Sequence, residues 1–267
     1  MRMLLWTPRS RAVLIGIFAL VVTVVFVLPL LTVALAGLAG AWNGPLPSEL
    51  GFARFDRALS GENLASLSVS LQTAFVGGGC ALVLGAWAAL AAREAPMWLR
   101  RFTDAVFHLP IAVPSVALGL GLLIAFNERP LLLGGTRWIV ILAHAVLVLA
   151  FAFTAVSAAL DRLDPAYRQA AESLGAGPVR VLTRVTLPLL LPALGAAAGL
   201  AVALSMGELG ATVMVYPATW KTLPVTIFAL TDRGQAFQAA ACTSILLLVT
   251  LLALVLLGRI RGRAALR

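Results

Sequence analysis

Apolar residues run almost unbroken over 13–38, 67–92, 103–126, 137–160, 185–207 and 239–257, with the polar residues gathered between these runs. About 20 apolar residues in a helix cross a bilayer core of about 30 Å. The pattern therefore predicts six transmembrane helices and no separate soluble domain, a single membrane domain over 1–267. The first run has a rival reading as a secretion signal, since Ala34-Leu35-Ala36 offers a cleavage triplet. It is longer than the ~7–15 apolar residues of such a signal, so it is read as a span.

Within the runs, Gly77-Gly78-Gly79 and Gly85 predict close approach of neighbouring helices. Pro110 and Pro114 interrupt the third run and free backbone carbonyls that only protein or a polar path can satisfy. Pro188 and Pro192 are expected to break the start of the fifth.

The polar segment 164–188 is the long exception in the second half of the chain. Asp164 is a good N-cap and Pro165 a good first helical residue. Gly175 predicts a left-handed end to that helix, and Gly177-Pro178 a second short helix. Ala166, Ala170, Ala171 and Leu174 fall on one stripe, with Arg168, Gln169 and Glu172 off it. The segment reads as an elbow of two short helices outside the bilayer, suited to docking on another protein, although an ordinary amphipathic connection would share much of this pattern.

These residues carry a resemblance. Gln169-Ala170-Ala171, then Gly175, then Val185-Thr186-Leu187-Pro188 resembles the EAA loop of bacterial ABC-importer permeases, with Gln169 and Val185 where that family has Glu and Ile. The resemblance implies an all-α polytopic membrane protein with six transmembrane helices, the type I, MetI-like permease domain, with cytoplasmic coupling helices. It also implies that Gln169, Ala170, Ala171, Glu172, Gly175, Leu187 and Pro188 engage a separate ATPase dimer. A second permease subunit, identical or homologous, and a periplasmic binding protein meeting 41–66 and 208–236 complete the implied partners.

Composition agrees with the membrane reading. Hydrophobic residues make up 61% of the chain and charged ones 12%, with a mean hydropathy of +1.00. The net charge of +9 comes from Arg clusters flanking apolar runs, a topology signal rather than a nucleic-acid face. With six spans, 14 of the 20 basic residues fall on the side of the termini, which places both termini and the elbow in the cytoplasm. Cys80 and Cys242 both lie in apolar runs, so no disulfide framework or metal site is expected.

From Thr186 to Trp220 there is one carboxylate, Glu208, placed by helix rise near the outer edge of the hydrocarbon. It reads either as part of a polar path or as a headgroup contact or cap for a short helix. Glycines beside it, with Pro217 and Pro224 beyond, predict a broken gate segment over 208–238, with Ser205, Glu208, Gly210, Thr212 and Tyr216 as path or gate residues. The run 205–214, with Tyr216-Pro217 and 222–234, resembles the 2-aminoethylphosphonate importer permeases within the sulfate, molybdate, thiamine and iron group. The resemblance implies a phosphonate as solute, with another oxyanion, thiamine or iron as alternatives.

His108 and His144 are read as hydrogen-bonded core residues, and Asp161 with Asp164 as bracketing a helix start. There is no Gly-x4-Gly-Lys-Ser/Thr loop and no hydrolase motif, so neither ATP binding, a catalytic residue nor a cofactor is expected. A stand-alone secondary transporter is disfavoured because no internal repeat and no intramembrane ion pair is evident.

Overall fold

The computed structural model describes the backbone of residues 8–265 and the side chains of 10–259. The described residues form helices α1 (Pro8–Val22), α2 (Leu28–Leu38), α3 (Ala53–Ala58), α4 (Gly61–Glu94), α5 (Met97–Ala112), α6 (Ser115–Ala125), α7 (Arg137–Asp161), α8 (Pro165–Ser173), α9 (Pro178–Val181), α10 (Leu187–Met206), α11 (Gly210–Val215), α12 (Leu223–Asp232) and α13 (Ala236–Ala265).

Among the described residues, five stretches are long and apolar enough to cross a membrane: Ser10–Leu38, Gly61–Glu94, Arg137–Asp161, Pro178–Met206 and Ala236–Arg259. A sixth exists if α5 and α6 count together, but they meet at a bend of 106°. The third apolar run is thus not one helix. Pro110 is carried inside α5, and the chain breaks at Pro114, where Val113 takes the extended conformation (φ −101°, ψ 129°) that a following proline favours.

The prolines at the start of the fifth span do not break it, contrary to the sequence expectation. Helix α9 continues through a wide turn, Leu182–Thr186, into α10, so the second elbow helix is the opening of the span rather than a separate piece. In that turn Leu187 N–H reaches back five residues to Leu182 O. A proline lacks the N–H and clashes with the carbonyl four residues before it. Widening the turn around Arg184 removes the clash with Pro188. The same device precedes Pro29, where Thr23–Val27 is wide and Leu28 N–H bonds Thr23 O.

The chain divides into two compact units. In one, formed by the described part of Met1–Asn63 with Ile227–Ile245, Arg54 ties the segment together. It donates to Ala39 O and to Gly40 O (3.0 Å), lies 5.0 Å over the Phe237 ring, and its own carbonyl accepts from Gln238 Nε2 at 3.1 Å.

The other unit, Leu64–Thr226 with the segment from Leu246, is organised around α7. Phe153, Val156 and Leu160 pack with Ala89 and Leu190; Val148 packs with Ala81 and Ala201; Ile139, Val140 and Ala143 pack with Ala211 and Val215. Glycine sets the depth of one of these contacts, because a Cβ on Gly85 would lie 2.8 Å from Phe153 N. Gly79, by contrast, meets nothing.

Candidate functional site

Two places in the second unit gather the sequence-predicted residues. At the elbow, Asp164 caps α8 by accepting from Ala166 N–H at 2.9 Å, and Gly175 has φ +81°, the left-handed end read from the sequence. Gly177 precedes Pro178 as the next N-cap. Gln169 and Ala170 are exposed and Ala171 is half-buried; Leu187 is half-buried and Pro188 exposed at the start of α10.

The small-residue stripe of α8 is left uncovered within the chain. Leu174 is 88% exposed, Val179 73% and Tyr167 57%, an apolar patch on a segment too polar to lie in lipid. Arg168 fixes the elbow from the other side, donating through NH1 to Glu94 at the end of α4 (2.5 Å) and through Nε to Glu172 (2.7 Å). The bond to Glu172, then that to Glu94, holds the guanidinium above its ordinary pKa. With its pKa raised, the arginine keeps this contribution at neutral pH and loses its own charge only in strong alkali. Asp161 ends α7 and pairs with Arg100 at 3.3 Å instead of bracketing a helix start with Asp164.

The second place is a cavity of about 250 Å³ whose wall includes Pro110, Val113, Ser115, His144, Ser205 and Glu208. The break between α5 and α6 opens its rim. Glu208 sits in the gap between α10 and α11 and caps α11: Ala211 N–H donates to Oε1 (2.8 Å) and Thr212 N–H to Oε2 (3.0 Å). The capping alternative read from the sequence therefore holds, and the same carboxylate also lines the cavity. Gly210 packs against Ser115 there, and a Cβ would displace the Ser115 hydroxyl from its present position.

Buried His144 links Ser205, Thr212 and, through Thr212, Glu208. Its Nε2 is 2.8 Å from Thr212 Oγ1, its Nδ1 is 2.6 Å from Ser205 Oγ, and Thr212 Oγ1 donates to Glu208 Oε2 at 2.5 Å. A threonine hydroxyl has one proton. With that proton on Glu208, Thr212 must accept from His144 Nε2–H, and Nδ1 must accept from the Ser205 hydroxyl. Hydrogen-bond polarity thus runs one way, Ser205 to His144 to Thr212 to Glu208. Tyr216, at the C-terminal end of α11, does not line the cavity.

One sequence expectation about the histidines needs correction here, and one holds. His144 Nε2 also lies 3.9 Å from Glu208 Oε2, but with Nδ1 accepting from Ser205 the imidazole is neutral, so the contact is not an ion pair. His108 is not a core residue but is exposed on α5, bonded to Asp104 O (2.7 Å) and Thr154 Oγ1 (2.9 Å). His144 is the buried, hydrogen-bonded residue expected, but its partners Ser205 and Thr212 lie 61 and 68 positions away and left no local signal of the link.

A second polar set was also missed. Ser70 of α4 caps α12 by accepting Leu223 N–H at 2.8 Å, Thr226 donates to Ser66 at 2.8 Å, and Trp220 Nε1 donates to Thr73 at 3.0 Å. The signal was available: Ser66, Ser70 and Thr73 recur at helical spacing in an apolar run.

Against known proteins, the family model for the binding-protein-dependent transport system inner membrane component matches residues 81–265. The chain is 46% identical over 261 residues, 98% of each sequence, to the putative 2-aminoethylphosphonate transport system permease protein PhnV of Salmonella paratyphi A. It is 34% identical over 157 residues to the molybdenum transport system permease protein ModB of Escherichia coli K12, covering 52% of this chain and 68% of that one. Its fold is similar to a chain in the crystal structure of a bacterial ABC transporter involved in the import of the acidic polysaccharide alginate, with a TM-score of 0.72 at 18% identity, over 95% of this chain and 94% of that one.

Proposed function

We propose, from the chain's membership of the family of binding-protein-dependent transport system inner membrane components, that it is the permease of an importer for 2-aminoethylphosphonate or a related phosphonate. The chain belongs to that family, and it is a multi-pass inner-membrane transport subunit of a bacterial ABC importer rather than an enzyme. The observation that carries the choice of solute is 46% identity maintained over 98% of both chains, against partial coverage for the molybdenum relative.

In this reading the bent pair α5–α6 counts as the third of six spans, and both termini and the elbow face the cytoplasm. Two permease subunits enclose the pathway, a periplasmic binding protein delivers the solute, and an ATPase dimer docks on 164–188. The exposed Tyr167, Leu174 and Val179 supply the apolar part of that contact, and Gln169 to Glu172 its polar part. Because α9 is continuous with α10, displacement of the elbow by nucleotide closure turns the whole span Pro178–Met206. Ser205 and Glu208 stand at its far end, so the rotation reaches the Glu208 cap of α11, and with it Gly210, Thr212 and Tyr216 at the gate.

The test is uptake of 2-aminoethylphosphonate into liposomes holding the assembled transporter. ATP hydrolysis and uptake are expected only when the cognate ATPase is present. Uptake by this chain alone overturns the reading, as does labelling from outside intact cells of a cysteine placed at Arg168 or Arg180.

A further inference from the structure

The cavity beside Glu208 has an unbalanced charge. Of the residues lining it, Glu208 is acidic and none is Lys or Arg. Both His144 nitrogens are engaged, one by Ser205 and one by Thr212, so the imidazole offers the cavity no free donor. Apart from Ser115 and Ser205, the remaining wall is apolar, with Ile111, Leu147 and Phe151 among it. A phosphonate placed here would meet a carboxylate and find no cation.

Glu208 has capacity left. An ionised carboxylate offers about four acceptor positions. Ala211 N–H, Thr212 N–H and the Thr212 hydroxyl take three. These bonds lock the carboxylate's orientation, so the fourth position is held in place without a ligand. Its side chain is 11% exposed and lines the cavity. The Ser115 hydroxyl on the same wall is a neutral acceptor. A space of about 250 Å³ is below the ~300–1,000 Å³ usual for drug-sized ligands and suits a molecule of a few heavy atoms.

We infer that this cavity is a binding station for a primary ammonium group, with Glu208 as the charged acceptor and Ser115 as a neutral one. Resting on the phosphonate reading above, the station takes the amino end of the solute and leaves the phosphonate end to groups outside this cavity. Selection within the membrane then falls on the amine, the feature that separates an aminoalkylphosphonate from inorganic oxyanions.

The experiment uses the assembled transporter in nanodiscs of phosphatidylglycerol, which has no amine, with binding followed by saturation-transfer NMR. Probes are 2-aminoethylphosphonate, ethylammonium and ethylphosphonate. The first two are expected to bind and displace one another, ethylphosphonate is expected not to compete, and Glu208→Gln is expected to weaken both amines at least tenfold. Ethylphosphonate displacing 2-aminoethylphosphonate, or amine binding unchanged in Glu208→Gln, overturns the station. If that variant fails to assemble, competition among the three probes on the unaltered protein still decides. Occupation by added phosphatidylethanolamine without displacement by ethylammonium also overturns it, since the amine bound is then a lipid headgroup. Uptake of 2-aminoethylphosphonate with no amine selectivity leaves the transport reading intact and removes the station; uptake of a different solute alone removes the transport reading, while ethylammonium binding still judges the cavity.

Discussion

His144 Nε2 and the Thr212 hydroxyl stand 2.8 Å apart, joining the middle of α7 to the first turn of α11. Their bond sets the polarity of the hydrogen-bonded chain from Ser205 to Glu208. His144→Ala would leave the buried Ser205 hydroxyl without its acceptor and an empty space between three helices. Each buried polar group left unpaired costs about 1–3 kcal/mol. The variant is expected to insert normally but melt at a lower temperature when solubilised. An unchanged melting midpoint would show that the link contributes nothing to stability.

The glycines of α4 give a paired prediction. Gly85→Ala puts a methyl group against the α7 backbone at Phe153, and overpacking of this kind costs about 1–3 kcal/mol. Gly79→Ala meets open space and should be tolerated. Yield and thermal stability of the two purified variants check this; equal behaviour would contradict the close approach.

At the elbow, Gly175→Val forces a β-branched residue to φ +81°, at roughly 1–2 kcal/mol. The strain falls on the short link between α8 and α9. Insertion should be retained while ATP-driven uptake falls. Gly175→Asn, which accepts the left-handed region, should restore most of the coupling. Full uptake in the valine variant would remove the bend from the mechanism.

Ser70→Ala removes the cap that α4 supplies to α12. Loss of a capping oxygen costs about 1 kcal/mol, and here the donor left behind is buried. Faster hydrogen exchange at Leu223 N–H is the expected signature, with little change at Leu187, whose partner lies in its own helix. Protection retained at Leu223 would mean that the cap is dispensable.

What could be read from sequence was local. Asp164, Pro165, Gly175 and Gly177 each act through their own backbone or that of the next few residues, so the elbow's caps follow from residue type. Apolar runs of span length follow from composition in the same way. Pro110 and Pro114 look alike in sequence, yet the chain bends at one of them, because the outcome depends on what α5 and α6 pack against. His144 and Glu208 meet through the packing of α7, α10 and α11, and nothing in either neighbourhood announces the other. Ser66, Ser70 and Thr73 lay at helical spacing, and their periodicity is the clue that went unused.

The wide turn at Leu182–Thr186 changes how the span before and after it must be phased. At about 100° per residue, Val181 and Leu190 would point to opposite sides of an uninterrupted helix. The additional residue in the turn shortens their angular separation to roughly 80°. Both side chains are in fact buried, 4% and 1% exposed. A helical wheel drawn straight through this segment would therefore misassign one of them to lipid, whereas a one-residue deletion within 182–186 would keep the relation of roughly 80°, eight regular steps in place of nine, and would bring Pro188 back against the carbonyl four residues before it.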